Sequence, residues 1–264
     1  MEVPEVIRSP KNGRLLAAAQ VRSGKDKSRV LLEGIRVLGE VLEAGLAVEW
    51  VLFDAERRDE HLLAVLAKAQ QKEVECVPCE PSLLQELGDL DSPAGVLAVA
   101  TRPTADLEMV IAEAGLLLVA AGVQDPGNLG AMVRVAAGLG AHGVVTFQGG
   151  VSVYHPRAIR GASGTTFRIP VADGVAAEDF FAAADQAGLA CWASASGGED
   201  PRTVEFSGPA AILLGGEGRG LAETWTQACA GTLGIPLQRG VESLNVATAA
   251  AVLIHSLVAG GKKT

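Results

Sequence analysis

Between residues 30 and 100, short apolar runs alternate with stretches whose apolar positions recur every three or four residues. VLLEG (30–34), VEWVLF (48–53), VECVP (74–78) and GVLAVA (95–100) have the length and apolar content of strands, while IRVLGEVLEAG, HLLAVLAKAQQ and SLLQELG carry the helical period. This half reads as a small α/β unit. Thr101-Arg-Pro-Thr-Ala-Asp106 is polar, contains a proline and breaks both periods, so the domain boundary is placed there, dividing 1–105 from 106–264. The second half opens on LLLVAAGV (116–123), apolar enough for a strand buried on both faces of a parallel sheet. HGVVTF (142–147), GLACWAS (188–194) and AAILLG (210–215) follow, then a short TLGIPL (232–237) before a final helix. Helices between most of these strands predict an α/β fold with a parallel sheet covered on both faces.

A chain of 264 residues with 48% hydrophobic content can bury one large core or two ordinary ones, and its length favours two domains. No apolar run approaches the roughly 20 residues of a membrane span, and the start MEVPEVIRSPKNGR lacks the apolar core of a secretory signal. The expectation is a cytoplasmic protein with no membrane partner. Four cysteines are too few for a disulfide framework and suit a reducing compartment. Cys76-Val-Pro-Cys79 has metal or redox spacing, yet no second close pair completes a zinc site, and the pair reads as packed strand-end thiols. His61, His142, His155 and His255 are dispersed with none at ligand spacing, so no metal is expected.

The net charge of −9 argues at first against a polyanionic partner, but its distribution reverses that reading. Residues 1 to 36 carry a local charge of +4, leaving −13 on the other 228. A second island lies between Asp125 and Asp173, where 47 consecutive residues hold no acid but include Arg134, Arg157, Arg160 and Arg168. Two basic islands favour a polyanion, with Arg8, Lys11, Arg22, Lys25, Lys27, Arg157 and Arg160 as candidate contacts. The alternative for the first island is a solvated tail whose charges touch nothing.

Two glycine patterns fail as nucleotide sites. Gly138-Leu-Gly140-Ala-His-Gly143 matches G-x-G-x-x-G but follows a helical pattern and precedes a strand, the reverse of the order a phosphate cradle needs. Gly215-Gly-Glu-Gly-Arg-Gly220 follows a strand, but its carboxylate disfavours phosphate. More informative are three strand-to-loop junctions: QDPGNLG (124–130) leading into the helix AMVRVAAGLG, then LLGGEGRGL, then IPLQRGVESLNVATAAAVL. In an open parallel sheet, ligands bind outside the carboxyl ends of strands, where all three junctions fall.

These blocks, in this order, resemble the three motifs of the SpoU/TrmH family of RNA ribose 2′-O-methyltransferases in the SPOUT superfamily. Asp125 to Arg134, Gly215 to Leu221 and Ile235 to Asn245 match the motifs, and Arg160-Gly-Ala-Ser-Gly-Thr-Thr-Phe-Arg-Ile-Pro170 is similar to a stretch between the first two. Residues 1 to about 105 look like the ribosomal-protein-like substrate-binding domain found in front of many members. The resemblance implies a deep trefoil knot in the C-terminal domain, a homodimer, and S-adenosylmethionine as cofactor, contacted by Gly215, Ile235 and Leu244. It places Arg134, Ser243 and Asn245 at the catalytic pocket; with Asn128 and Glu217 these are the candidate catalytic residues, acting on a structured RNA, with ribosomal RNA favoured over transfer RNA.

Methyl transfer from a sulfonium to a ribose hydroxyl is an in-line displacement that needs help in losing a weakly acidic proton. A guanidinium with a pKa above about 12 is a poor base, so Arg134 reads as a phosphate clamp that acidifies the hydroxyl through its charge. Glu217 can orient that arginine or accept the proton. For Ser243 the simpler role is a helix N-cap. Two other functions compete: an RNA-binding protein that keeps the fold without activity, which an altered motif residue would favour, and a nucleotide-dependent oxidoreductase, against which the reversed glycine pattern speaks.

Overall fold

The structure is a computed structural model that describes residues 5–88, 95–113, 115–204, 208–217 and 220–260. It contains two compact units, the residues up to Pro103 together with Tyr154–Phe167, and Thr104–Val153 together with the residues from Arg168 onwards. The sequence reading keeps 154–167 in the second domain; by its contacts this segment belongs to the first unit.

The first unit comprises α1 (Gly13–Arg22), β1 (Arg29–Glu33), α2 (Ile35–Glu43), β2 (Val48–Asp54), α3 (Glu60–Gln71), β3 (Glu75–Cys79), α4 (Pro81–Leu87) and β4 (Val96–Thr101). Its sheet runs β1-β4-β2-β3, with β4 antiparallel to both neighbours and β2 parallel to β3. Alternation along each strand feeds two cores. Val30, Leu32 and Val51 join Val37, Val41 and Leu62 on one face, while Leu31, Trp50 and Leu52 join Leu15, Ala18 and Leu83 on the other. The same alternation parts the cysteine pair, because Cys76 packs into the first core and Cys79 into the second. Both thiols are free, and burial pushes each up to about 11.

The N-terminal basic island is not a loose tail. Asn12 caps α1 by accepting from the Arg14 amide at 2.9 Å, and Leu15, Ala18 and Val21 bury its inner face. Folding also uses some of its charge: Arg14 pairs with Glu75, and Arg29 bonds Asp26 at 2.7 Å. The Ser28 hydroxyl and Arg29 together hold Asp26 down at about 2.

The inserted segment closes this unit. It carries α7 (Pro156–Gly161), whose Ile159 is fully buried in the core of Val30, Val37 and Leu62. Tyr154 donates to the Pro103 carbonyl at 3.0 Å and lies under Arg102, 4.2 Å from ring centre to guanidinium carbon. Arg160 stands 3.7 Å from the buried carboxylate of Glu33. Gly164 has φ +81°, and a Cβ there would come within 2.8 Å of Glu40, so the segment approaches α2 as only glycine allows.

The second unit adds α5 (Leu107–Ala112), β5 (Leu116–Ala121), α6 (Pro126–Leu139), β6 (Gly143–Phe147), β7 (Val171–Val175), α8 (Ala177–Gln186), β8 (Ala190–Glu199), β9 (Ala210–Gly215), α9 (Glu223–Gln227), β10 (Gly231–Leu233) and α10 (Val246–Gly260). All six strands are parallel, in the order β10-β8-β9-β5-β6-β7. The expected strands are present, and β7 joins them: VADGV has too much polar content to read as a buried strand, and it sits at the sheet edge. From β5 the chain builds outward through β6 and β7, then returns to build β8 and β9 on the other side. The β5/β9 boundary is therefore a topological switch point, where the connections diverge and open a crevice. No helix among the described residues is long and apolar enough to cross a membrane.

Truncating Ile159 to alanine should weaken the first unit by roughly 2–4 kcal/mol. Hydrogen exchange should then quicken in β1 and β4 but not in β5 or β9. Unchanged protection in β1 would mean that the inserted segment only rests on that core.

Candidate active site

The crevice is furnished by three helix or loop starts. After β5, Asp125 caps α6 by accepting from the Asn128 amide at 2.7 Å, and Pro126 occupies the first helical position, where its missing N–H costs nothing. This holds Asn128 in the first turn of α6. After β9 the chain folds back on itself: a Cβ on Gly215 would lie 2.2 Å from the Gly220 carbonyl, and Gly216 bridges to Gly220. Glu217 is carried on that turn. At the start of α10, the Asn245 side-chain oxygen accepts from the amides of Ala247 at 3.0 Å and Thr248 at 3.3 Å. Asn245 is thus the cap, the role the simpler reading assigns to Ser243.

The three side chains meet. Asn245 Nδ2 donates to Asn128 Oδ1 at 2.9 Å and to Glu217 Oε1 at 3.4 Å, and Asn128 Nδ2 donates to the same Glu217 oxygen. One residue from each expected motif therefore enters a single network. Both amide contacts go to Oε1, and Oε2 has no partner among the described residues.

Two cavities adjoin this network. One, of about 800 Å³, is lined by Gln124, Asp125, Asn128, Gln148, Glu217 and Trp225 with the backbone of Gly122 and Gly149. The other, of about 370 Å³, is lined by Ser194, Ser196, Ile235, Leu237, Glu242, Ser243 and Leu244. Gly220 lines both, so the turn that carries Glu217 is their common wall. Apolar Ile235, Leu237 and Leu244 beside the Glu242 carboxylate suit a flat heterocycle joined to a cation, which is the chemistry of S-adenosylmethionine. Gly215 does not line this cavity, and its glycine is required by the fold-back of the turn.

The remaining candidates lie apart from the network. Arg134 is exposed on α6, about a turn and a half past Asn128, and lines neither cavity. Arg8, Lys11, Lys25 and Lys27 are exposed in the first unit, and Arg22, also exposed, donates to the Glu86 carbonyl at 2.8 Å. Arg157 is exposed on α7, whereas Arg160 faces Glu33.

Residues 115–255 match the SpoU rRNA Methylase family, and residues 14–98 match the MRM3-like substrate binding domain. The chain belongs to the SpoU rRNA methylase family. This methylase is 30% identical over 236 residues to the 23S rRNA (uridine(2479)-2′-O)-methyltransferase of Streptomyces viridochromogenes, covering 86% of this chain and 82% of that one. It is 28% identical over 262 residues to the 23S rRNA (guanosine(2553)-2′-O)-methyltransferase of Bacillus subtilis, covering 95% and 98%. Among solved structures, the SpoU methyltransferase AviRb of S. viridochromogenes in complex with the cofactor AdoMet superposes with a TM-score of 0.82 at 26% identity, over 96% of this chain and 99% of that one.

The methylase site also uses residues that the sequence reading passed over. Asp173 on β7 accepts from Thr146 Oγ1 at 2.8 Å, Ser152 Oγ at 2.6 Å and the Val153 amide at 3.1 Å, which fixes the loop after β6. Gln124 Nε2 donates to the Gly149 carbonyl at 2.6 Å, tying that loop to the end of β5. The one available signal was that Asp173 ends the long acid-free stretch.

Asn245→Asp separates cap from network. It keeps an oxygen for the Ala247 and Thr248 amides, and negative charge is favourable at a helix N-terminus. It also removes the amide donor and sets a second carboxylate against Glu217. The thermal midpoint should move by no more than about 3 °C, while methyl-transfer turnover falls about 100-fold. Unimpaired turnover would show that the cap alone explains Asn245.

Proposed function

We propose that this chain transfers a methyl group from S-adenosylmethionine to a ribose 2′-hydroxyl of 23S rRNA. The observation that carries the reading is the Asn128–Glu217–Asn245 network on the wall shared by two cavities. One cavity is suited to the cofactor, which supplies an electrophilic methyl on a sulfonium; the other admits the acceptor nucleotide. Both relatives described above are named as 23S rRNA 2′-O-methyltransferases.

In this reading the amides of Asn128 and Asn245 hold Glu217 by Oε1, so that Oε2 takes the hydrogen bond, and then the proton, of the 2′-hydroxyl. The network orients a proton acceptor; the arrangement asks for no metal. Ile235 and Leu244 hold the cofactor's heterocycle, and Ser243 and Glu242 its polar end. Arg134, on the solvent face of α6, meets RNA phosphate outside the cavity and acidifies the hydroxyl by its charge.

The first unit is the RNA-gripping part, with Arg8, Lys11, Lys25, Lys27 and Arg157 as exposed contacts that neutralise phosphate without reading sequence. Arg22, exposed on α1, contributes beside them, while Arg160 acts through Glu33 to hold α7. The second unit carries the trefoil knot of the family, formed by the segments that lead into α10. The enzyme works as a homodimer in the cytoplasm.

The test is transfer of labelled methyl from S-adenosylmethionine to 23S rRNA, with the product mapped by resistance of the modified linkage to alkaline hydrolysis. One resistant linkage is expected. Arg134→Ala should lower turnover about 100-fold with cofactor affinity nearly unchanged. Cofactor binding with no transfer to any ribosomal RNA would overturn the assignment.

A further inference from the structure

Among the described residues the larger cavity holds one aromatic side chain, Trp225 of α9, and its setting is particular. The indole is half-buried and meets Phe147 edge-on, with ring centres 5.2 Å apart at 78°. Phe147 is fully buried and packs in turn on Phe180 at 5.4 Å and Phe181 at 6.3 Å. A rigid aromatic cluster thus sets the plane of the indole, which lines the same cavity as Asn128 and Glu217. Its N–H donates to no acceptor among the described residues.

The lining of that cavity selects its guest. Among the described lining residues the charged ones are Asp125 and Glu217, both anionic, and no lysine or arginine is present. Those two carboxylates favour a neutral guest. The polar groups are otherwise the amides of Gln124, Gln148 and Asn128, which suit a neutral ring with donors and acceptors on its edge. A nucleotide whose 2′-oxygen reaches Glu217 carries its base on the adjacent sugar carbon, so the base must lodge close to the same network. The 5′-phosphate leaves from the far side of the ribose, and the 3′-phosphate, on the other carbon next to the 2′-oxygen and on the same face of the ring, must leave the cavity towards solvent.

We propose that Trp225 is the stacking platform for the base of the nucleotide that is methylated. This rests on the ribose-methylation reading above. Every nucleobase presents a π-face, so the platform supplies affinity and orientation without choosing the base, and it delivers the 2′-hydroxyl to Glu217 by fixing the sugar. Trp225 touches substrate, not cofactor, because the smaller cavity is lined without it.

The experiment compares full-length protein with Trp225→Ala, Trp225→Leu and Trp225→Phe variants, measuring methyl transfer to 23S rRNA and equilibrium binding of S-adenosylmethionine. Stacking predicts that Trp225→Ala and Trp225→Leu raise the KM for RNA by about tenfold or more, while cofactor affinity stays at the parental value. Trp225→Phe should recover most of the loss. Leucine fills the space against Phe147 but has no π-face, so a Trp225→Leu enzyme with the parental KM would overturn the proposal and leave a packing role. Parental KM in Trp225→Ala with cofactor binding intact would overturn it as well. If the unaltered protein itself transfers nothing to 23S rRNA, the ribose-methylation reading fails, and this proposal with it.

Discussion

Asn245 uses both ends of its amide, and the active site depends on that double use. Its oxygen closes the N-terminus of α10 and its nitrogen joins Asn128 to Glu217. An orphan donor pair at a helix start needs an acceptor, and a carboxylate in a crevice needs donors; one short side chain answers both demands. The position of the last helix and the position of the Glu217 carboxylate are thereby tied to the same group.

The network forms only because the sheet brings its members together. Asn128 follows β5 and Glu217 follows β9, neighbours in the sheet whose register pairs Ala121 with Gly215. The chain enters and leaves that pair in opposite directions, so no crossover fills the space above them. Gly215 then lets the turn fold back within van der Waals distance, which turns Glu217 inward and makes Gly220 a wall common to both cavities. Local backbone permissiveness is in this way converted into the placement of the Glu217 carboxylate in the crevice.

Much of this was legible before any coordinates. Buried parallel strands are continuous apolar runs, and each of the runs at 116, 142, 188, 210 and 232 marks a strand of the sheet. The three glycine-bearing junctions marked the crevice because strand ends are where an open sheet binds ligands. What escaped was whatever depends on long-range partners. VADGV is polar because Asp173 is committed to Thr146, Ser152 and Val153, contacts that periodicity cannot show. Tyr154–Phe167 looked like part of the second half because sequence order says nothing of Ile159 entering the core around Val30 and Val37. The cap fell to Asn245 rather than Ser243, a choice between two good capping residues that the three-dimensional path of the loop decides.

The central claim is that Asn128 and Asn245 act on the reaction as one unit, through Glu217. A double-mutant cycle measures this directly: methyl-transfer kcat/KM for Asn128→Ala, Asn245→Ala and the combined variant, with α10 confirmed intact by circular dichroism. If the network is a unit, the double variant should be about as slow as the worse single one. If the two losses multiply, each asparagine works independently and the account is wrong.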